Sequence, residues 1–457
     1  MKKLTTTIAS LLLIASAATA QAPKYIFYFI GDGMGHGHVL SAATYKRLVL
    51  NDSLPLLMRQ FPEAGMVTTY SANTPVTDSA AAGTALATGS KTRNNMLGMN
   101  ADSVAVRSVA DDLAAAGYGI GLVTNVCPDD ATPGAFYAHV PARTQWYDIA
   151  LQFADSPVSF LAGSKLRGAM VKGKYTGLYE KLADKGVTLV RGVENLPAEH
   201  PSKLLLLNTD TVQQNMGYTI DNPKGNNLGQ FTDAAINYLT ATSPERFFLM
   251  VEGGNIDWAG HDNDGPTIVR EVLAYDDVLR KAYDFYLAHP DETLIIVTAD
   301  HETGGMTVGQ RSTGYNQFPH VVDRQHISKA RFCDYCWDIL KSKQPITWEE
   351  MQQKLTDDLG FFDTTKLSDK QQKRLKDAFD RTFVTLDGEA YKNLYASYPE
   401  FALVVFDIQN DIAGYGFTSP KHTGNPVPLF AIGAGAEKFS GTLDNTDIPR
   451  LIRQLTR

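Results

Sequence analysis

The residues around Ser79 combine a nucleophile with a helix start that could bind an anion. Ser79 directly follows Asp78, and residues 80–87 are mostly alanine, glycine and threonine. Such small residues can form a helix against which another element packs closely. A helix that begins near Ser79 would point its unpaired N–H groups and the positive end of its dipole at an anion such as phosphate. The alternative is that Asp78 or Ser79 only caps the helix, as such residues commonly do.

Carboxylates and imidazoles that could bind metal ions recur in four clusters along the chain. Each cluster alone is a weak signal, because a lone Asp or His after a strand is more often a turn residue. Their concurrence matters in a chain with ten histidines. Catalytic zinc uses nitrogen and carboxylate ligands, whereas magnesium prefers oxygen. The clusters therefore match two zinc-like sites and one magnesium-like site, and they contain Asp32, Glu252, Asp257, His261, Asp300, His301 and His422.

Short apolar runs precede these polar residues and predict the strands that position them. The runs cover residues 25–30, 119–124, 247–251 and 293–298, and helical patterns such as 108–116 and 268–287 lie between them. This alternation predicts an α/β fold with a large, mainly parallel central sheet flanked by helices on both faces. Ligands of such sheets bind beyond the carboxyl ends of the strands, which is where the polar residues occur.

The pattern changes between residues 306 and 411 and predicts a mainly helical insertion. Thr347 and Ser368 each begin a capping-box signature. Because no linker rich in Pro, Ser or Gly bounds this section, we predict a single catalytic domain over residues 21–457. The sequence leaves open whether the insertion shapes access to the site or decorates the surface.

The N-terminus predicts a secretory signal peptide in residues 1–20. Lys2 and Lys3 precede an apolar stretch too short to span a membrane, and residues 18–20 read Ala-Thr-Ala, a cleavage motif. We therefore expect a periplasmic or secreted protein that starts at Gln21 and has no membrane partner. The formal net charge of −8 argues against nucleic acid as a partner.

Three cysteines are too few for a disulfide framework. Cys333 and Cys336 form a lone C-x-x-C pair that could join in an oxidising compartment, and the sequence leaves this open. Cys127 follows an apolar run and is predicted to be buried.

Seven short motifs span most of the mature chain. They are GDGMG at 31–35, VTDSAA at 76–81, DATP at 130–133, HVPAR at 139–143, the stretch 251–261, TADH at 298–301 and HTG at 422–424. In order and spacing they resemble the alkaline phosphatase family, and the Asp257-Trp258 pair resembles a bacterial subgroup of it. This resemblance implies hydrolysis of small phosphate monoesters through a phosphoserine, with two Zn²⁺ and one Mg²⁺ as cofactors.

The resemblance also implies a role for each matching residue. Ser79 would be the nucleophile, and Arg143, oriented by Asp78, would bind the phosphate. The first zinc would take Asp257, His261 and His422. The second zinc would take Asp32, Asp300 and His301. Magnesium would take Asp32, Thr132 and Glu252, with Asp130 contacting its bound water.

Two features depart from the family pattern. Trp258 occupies a position where several well-known members have Lys or His, so it could orient the substrate but cannot supply a positive charge. The first strand begins about four residues after the predicted cleavage site, so an N-terminal arm that helps to grip a second subunit is missing. A homodimer remains the family expectation.

Three other functions compete with the hydrolysis of monoesters. A phosphodiesterase of the same superfamily would generally use a Thr nucleophile, and Ser79 favours monoesters. The sulfatase motif is excluded because Ala80 and Ala81 follow Ser79. A non-catalytic phosphate- or metal-binding protein would keep the ligands without needing a nucleophile. His36 and His38 follow the glycine turn and could approach the metals, but the prediction we favour is that they are solvated loop residues.

Overall fold

The computed structural model describes residues 22–222, 228–392 and 396–457, so the predicted signal peptide lies outside the described residues. A ten-stranded sheet forms the centre of the molecule. Its strands are β1 Tyr25–Ile30, β2 Glu63–Thr68, β3 Gly119–Thr124, β4 Phe160–Gly163, β5 Thr188–Arg191, β6 Leu204–Leu207, β7 Phe247–Glu252, β8 Thr293–Thr298, β9 Val427–Gly433 and β10 Gly441–Asp444.

The sheet is mainly parallel, as predicted. The strand order is β10-β2-β9-β8-β1-β7-β3-β4-β6-β5. Strand β9 is antiparallel to β8 and β2, and the other pairings are parallel. Ile30 of β1 lies opposite Glu252 of β7 and Thr298 of β8. The segments that follow these three strands therefore leave the sheet at the same edge.

Helices surround the sheet. Every residue of β7 and β8 is buried, and because successive side chains of a strand point to opposite faces, both faces are covered. Within the described ranges, no helix is both long enough and apolar enough to cross a membrane. The helices are α1 His36–Leu48, α2 Ser79–Thr88, α3 Val109–Ala115, α4 Ala131–Gly134, α5 Trp146–Gln152, α6 Leu178–Asp184, α7 Leu228–Thr242, α8 Asn255–Asp262, α9 Gly265–Ala288, α10 Val321–Arg324, α11 Lys329–Ser342, α12 Trp348–Leu359, α13 Asp369–Phe379, α14 Glu400–Ala413 and α15 Asp447–Leu455.

Pairs of two-residue strands connect the loops. One pair, Glu302–Thr303 with His422–Thr423, joins the segment after β8 to the segment before β9. The other pairs are Thr307–Val308 with Tyr415–Gly416, Met170–Val171 with Lys174–Tyr175, and Tyr391–Lys392 with Ser397–Tyr398.

Helices α10 to α14 form the mainly helical section that the sequence predicts. Thr347 and Ser368 cap α12 and α13 with complete capping boxes, as expected. These helices enclose an apolar cluster of their own, which includes Phe332, Leu355 and Phe401. Cys333 and Cys336 lie one turn apart on α11 as buried, free thiols, and Cys127 is also buried and free.

Candidate active site

Ser79 is the first residue of α2, and Asp78 caps this helix. The Ala81 N–H donates to Asp78 Oδ1 at 2.9 Å. The predicted helix start is therefore confirmed, and the capping role falls to Asp78. Ser79 is only 1% exposed, and its Oγ lies 3.1 Å from His301 Nε2. Ser79 thus lies at the positive end of a buried helix and directly against an imidazole.

The small residues of α2 allow the Thr132 helix to pack closely. A Cβ at Gly83 would lie 3.2 Å from the Cα of Thr132 on α4. Any larger residue at Gly83 would push α4 away from α2. The glycine therefore holds Thr132 close to the helix that carries Ser79.

The predicted carboxylates converge at one edge of the sheet. Asp32 follows β1, Glu252 ends β7, and Asp300 follows β8. Gly33 has a φ of +73°, and a Cβ there would lie 2.8 Å from the Cα of Asp257. The Gly33 N–H also donates to Asp300 Oδ1 at 3.1 Å. Glycine is therefore needed for the Asp32 turn to lie against Asp257.

One group of potential metal ligands brings together Asp257, His301 and His422, whose ligand atoms lie within 4.8 Å of one another. His261 extends this group, because its Nε2 lies 3.5 Å from Asp257 Oδ2 and 3.2 Å from His422 Nε2. The Nδ1 atoms of His261 and His422 lie 2.8 and 2.9 Å from the carbonyls of Pro420 and Thr77.

Those carbonyl contacts fix the tautomers of the two histidines. A carbonyl can only accept a hydrogen bond, so each Nδ1 donates. Burial lowers the pKa of His422, which favours its neutral ring. The two Nε2 atoms are the ring nitrogens left to bind a metal ion, and they lie next to each other.

A second group consists of Asp32, Asp300 and His301. His301 Nε2 lies 3.5 Å from Asp32 Oδ1 and 3.2 Å from Asp300 Oδ2. Burial lowers the pKa of His301 well below its ordinary value, and His422 lowers it further. The structure thus brings together the residues predicted for both zinc sites, and His301 lies within reach of both groups.

The residues predicted for magnesium also meet. Thr132 Oγ1 donates to Asp32 Oδ2 at 3.4 Å. Burial raises the pKa of Glu252 to about 8, although hydroxyl groups of Thr124 and Thr132 donate to it and oppose the shift. Asp32, Thr132 and Glu252 offer oxygen atoms alone, which suits magnesium rather than zinc.

The carboxylates of these groups suit metal ions. Burial raises the pKa of Asp300 to about 7, with the charge of Asp257 as the second cause. Burial also raises the pKa of Asp32 well above its ordinary range, and the charges of neighbouring carboxylates add to that shift. Buried anionic oxygens without partners are costly, and cations would compensate them. Within the described residues, one oxygen makes no hydrogen bond on each of Asp32, Glu252, Asp257 and Asp300.

Arg143 lies between Asp78 and Asp130. Its Nη2 donates to Asp130 Oδ1 at 3.1 Å, and its Nη1 lies 3.6 Å from Asp78 Oδ2. Asp130 also caps α4 through the Ala131 N–H. Burial would raise the pKa of Asp130, but Arg167 and Arg143 hold it below its ordinary value. Asp130 therefore contacts two arginines, and its contact with a metal-bound water stays a prediction.

Arg167 is a residue of the site that the sequence analysis missed. Its Nη1 lies 3.0 Å from Asp130 Oδ2, and its guanidinium carbon lies 5.4 Å from the Trp146 ring centre and 5.6 Å from that of Trp258. Asp129 holds its turn by accepting from the N–H groups of Arg167 and Gly168. Arg167 follows β4, and ligands of such sheets bind beyond the carboxyl ends of the strands, so this rule (the strand-end rule) could have found it. Arg167 thus places a positive charge next to Trp258, whose own side chain is uncharged.

The prediction for His38 is wrong. Residues 36–48 form α1, and this helix turns His38 into the core while His36 stays exposed at its start. The Gly35 N–H donates to His38 Nδ1, and His38 Nε2 lies 3.7 Å from Glu302. Glu302 in turn accepts from the Thr423 hydroxyl, beside His422. His38 thus packs behind the strand pair that contains His422 and directly follows His301.

Thr303 is a second residue that the sequence analysis missed. Its hydroxyl donates to Asp257 Oδ1 and lies 3.2 Å from His301 Nδ1. It therefore orients one member of each ligand group.

Comparison with known proteins identifies the family. The family model described as alkaline phosphatase matches residues 23–165 and 160–457. Alkaline phosphatase 4 of Bacillus subtilis (strain 168) is 30% identical over 447 residues, which cover 95% of this chain and 89% of that protein.

Solved structures agree with this match. The cold-active alkaline phosphatase from Shewanella sp. superposes with a TM-score of 0.79 at 25% identity, over 94% of this chain and 99% of that one. The alkaline phosphatase from Thermus thermophilus gives a TM-score of 0.78 at 27% identity, over 98% and 95%. With its convergent carboxylates and imidazoles beside a buried serine, this chain belongs to the alkaline phosphatase family and is a metal-binding phosphatase.

Proposed function

We propose that this phosphatase hydrolyses phosphate monoesters, with Ser79 as the nucleophile and a phosphoserine as the intermediate. The observation that carries the proposal is the position of Ser79 Oγ at the start of α2, 3.1 Å from His301 Nε2. The N–H groups at this helix start favour a dianionic phosphoryl group. Arg143 lies next to the helix start, because its Nη1 is 3.6 Å from Oδ2 of the capping residue Asp78.

Two Zn²⁺ and one Mg²⁺ are the proposed cofactors. The bound ions would supply the positive charge that favours an ionised Ser79 and neutralises the phosphoryl oxygens. Asp257, His261 and His422 would hold the first zinc. Asp32, Asp300 and His301 would hold the second zinc. Asp32, Thr132 and Glu252 would hold the magnesium, with Asp130 contacting its water.

The proposed reaction has two chemical steps. Ser79 Oγ loses its proton and attacks phosphorus, the bond to the leaving oxygen breaks, that oxygen takes up a proton, and a phosphoserine forms. Water then attacks the phosphoserine, the Ser79–phosphorus bond breaks, a proton returns to Ser79 Oγ, and inorganic phosphate leaves. The guanidinium of Arg143 can donate to two non-bridging oxygens at once. A monoester presents two charged oxygens and a diester only one, so Arg143 favours monoesters.

Trp258 is proposed to orient the substrate indirectly. Its ring packs against Arg167, and Arg167 pairs with the same carboxylate that holds Arg143. Trp258 would therefore act by fixing the direction of the guanidinium of Arg167.

The decisive experiment compares Ser79→Ala with Ser41→Ala. Ser41 is an equally buried helical serine whose hydroxyl donates to the Gly37 carbonyl, so it controls for the loss of a buried hydroxyl. We expect Ser79→Ala to lose nearly all turnover of a chromogenic phosphate monoester and to keep its metals, whereas Ser41→Ala stays active. Acid-quenched wild-type enzyme should carry phosphate on Ser79. An active Ser79→Ala enzyme would exclude the covalent mechanism.

The compartment and the assembly are further proposals. The leader features of residues 1–20 support a periplasmic or secreted enzyme with one catalytic domain over residues 21–457. N-terminal sequencing of the exported protein should begin at Gln21. Family membership supports a homodimer, and sedimentation equilibrium should then give twice the chain mass; a monomer mass would exclude it.

A further inference from the structure

We propose that a pocket beside Arg167 binds the leaving group of the substrate and that it favours nucleoside diphosphates. This inference rests on the proposed monoesterase function. The pocket has a volume of about 450 Å³, which is in the range of small-molecule sites. Its walls include three cationic and three aromatic side chains, namely Lys165, Arg167, Arg191, Trp146, Tyr175 and Tyr179.

The charge of the pocket favours an anionic ligand. Every charged side chain that lines it is a cation, although the chain as a whole carries a net charge of −8. Arg191 Nη1 donates to the Asn208 carbonyl at 3.3 Å, and Lys165 Nζ donates to the Val212 carbonyl. These carbonyls are neutral, so the hydrogen bonds orient the two cations without cancelling their charge. An additional phosphate on the leaving group would meet this positive field.

The aromatic residues favour a planar ring on the same ligand. Tyr175 and Tyr179 have ring centres 6.2 Å apart at an angle of 30°, and the guanidinium carbon of Arg191 lies 5.3 Å from the Tyr179 ring centre. Tyr175 is 48% exposed, so one of these rings is open to solvent. Nucleobases stack on such rings and on arginine planes. A base joined to a phosphate matches both features of the pocket.

Arg167 connects this pocket to the reacting centre. It lines the pocket and pairs with Asp130 Oδ2 at 3.0 Å, while the other oxygen of Asp130 accepts from Arg143 at 3.1 Å. A terminal phosphoryl group at Arg143 would therefore have its leaving group beside Arg167. In the proposed reaction, Ser79 Oγ takes the β-phosphoryl group of the nucleoside diphosphate, the bridging P–O bond breaks, and the nucleoside monophosphate leaves.

A larger cavity beside Trp258 suits an anionic leaving group less well. Its volume is about 810 Å³, and Arg331 is a cation in its wall. It is also lined by Asp210, Asp221, Asp262 and Asp334. These acidic side chains would repel a phosphate, so the cationic pocket is the better site.

Four substrates separate the contributions of ring and charge. ADP offers both, AMP offers the ring alone, inorganic diphosphate offers the charge alone, and methyl phosphate offers neither. We expect the wild-type enzyme to have its highest kcat/KM on ADP. Arg191→Gln should lower kcat/KM for ADP and diphosphate about tenfold, mainly through KM, because a charged contact is lost. Tyr179→Leu should lower kcat/KM for ADP and AMP about fivefold through lost stacking.

Methyl phosphate and Arg246→Gln supply the controls. Arg246 lies 5.3 Å from the Tyr118 ring centre and donates to a main-chain carbonyl, as Arg191 does at its own tyrosine. It precedes β7, at the sheet edge opposite the site. We expect Arg246→Gln to match the wild type on all substrates. Arg191→Gln and Tyr179→Leu should keep methyl phosphate turnover, which would also show that they fold.

The outcomes distinguish the pocket from the proposed function. Equal losses on all four substrates, or no loss on ADP, would overturn the leaving-group site. A loss on diphosphate with no effect of Tyr179→Leu on ADP and AMP would overturn the assignment to nucleotides. A wild-type enzyme that hydrolyses none of the four, methyl phosphate included, would overturn the proposed function before any variant is compared.

Discussion

Buried carboxylates occur in two parts of the site, and they differ in what neutralises them. In the ligand groups, burial raises the pKa of Asp300 to about 7, with the charge of Asp257 as the second cause. Asp130 is equally a buried aspartate, yet Arg167 and Arg143 hold its pKa below the ordinary value. The residue type and the depth are the same, so the neighbours make the difference. The ligand groups around Asp300 need cations from solution, whereas Asp130 is neutralised by the chain's own arginines.

Removal of metal ions should lower activity more than any substitution, because the buried carboxylates of the ligand groups depend on cations from solution rather than on an arginine to neutralise them. Asp130, which pairs with two arginines, should be unaffected. Exhaustive chelation should lower monoester turnover at least about 1000-fold, and Zn²⁺ with Mg²⁺ should restore it. The measurement combines activity with metal analysis of the same samples. Circular dichroism controls for unfolding. Full activity in metal-free protein would contradict the proposed cofactors. It would also contradict the view that the ligand groups depend on cations from solution.

Matched Asp→Asn substitutions in metal-free protein should have opposite effects on stability. Asp130→Asn removes the buried carboxylate that Arg143 and Arg167 share, so the free energy of unfolding should fall by about 3 kcal/mol. Asp300→Asn removes one of several buried acids that repel each other, so the free energy of unfolding should rise at pH 8. Urea unfolding of chelated protein measures both. Changes of the same sign would show that the two parts do not differ electrostatically.

The pH dependence provides a second test of Asp300. Its pKa is raised from 3.8 in the ordinary state to about 7 in the folded chain. Between these values the folded chain binds more protons than the unfolded chain, so stability falls as the pH rises. Metal-free wild-type protein should therefore lose stability from about pH 4 to about pH 7, and Asp300→Asn should lose less. An identical pH profile for both proteins would contradict the raised pKa.

The sequence predicted the ligand groups (the metal side of the site) better than the arginines around Asp130 (the cationic side). Asp32, Asp300 and His301 each follow an apolar strand closely, so local pattern and the strand-end rule suffice to bring them together. The central strands were predicted for the same reason, because buried parallel strands are continuous apolar runs.

Contacts between distant segments explain what the sequence analysis missed. Arg167 acquires its role from Asp130, Trp146 and Trp258, and none of these pairings leaves a local pattern. The error at His38 has a similar cause. The glycine turn before it suggested a loop, but α1 starts at once and turns this histidine towards Glu302.

Arg143→Ala tests how the cationic side recognises the substrate. We expect kcat/KM for a monoester to fall about 100-fold and kcat/KM for a diester to fall only about tenfold. Arg143 would contact two charged oxygens of a monoester but only one of a diester, so its removal costs the diester less. Arg374→Ala is the control, since Arg374 pairs with Asp407 on the helical section. Parallel kinetics with a phenyl monoester and the corresponding diester measure the ratio. Equal losses would mean that Arg143 does not distinguish the dianion.

Trp258 should give the smallest effect, because it borders the cationic side without carrying charge. In Trp258→Lys, an added positive charge near a bound dianion should tighten inhibition by inorganic phosphate about threefold. Slower product release should then lower the maximal rate. Trp258→Leu removes the ring from Arg167 without adding charge, so it should weaken phosphate inhibition instead. Phosphate inhibition and zinc content are measured on the same samples. Weaker inhibition in Trp258→Lys with intact zinc would show that the ring supports Arg167 in a way that an added charge cannot replace.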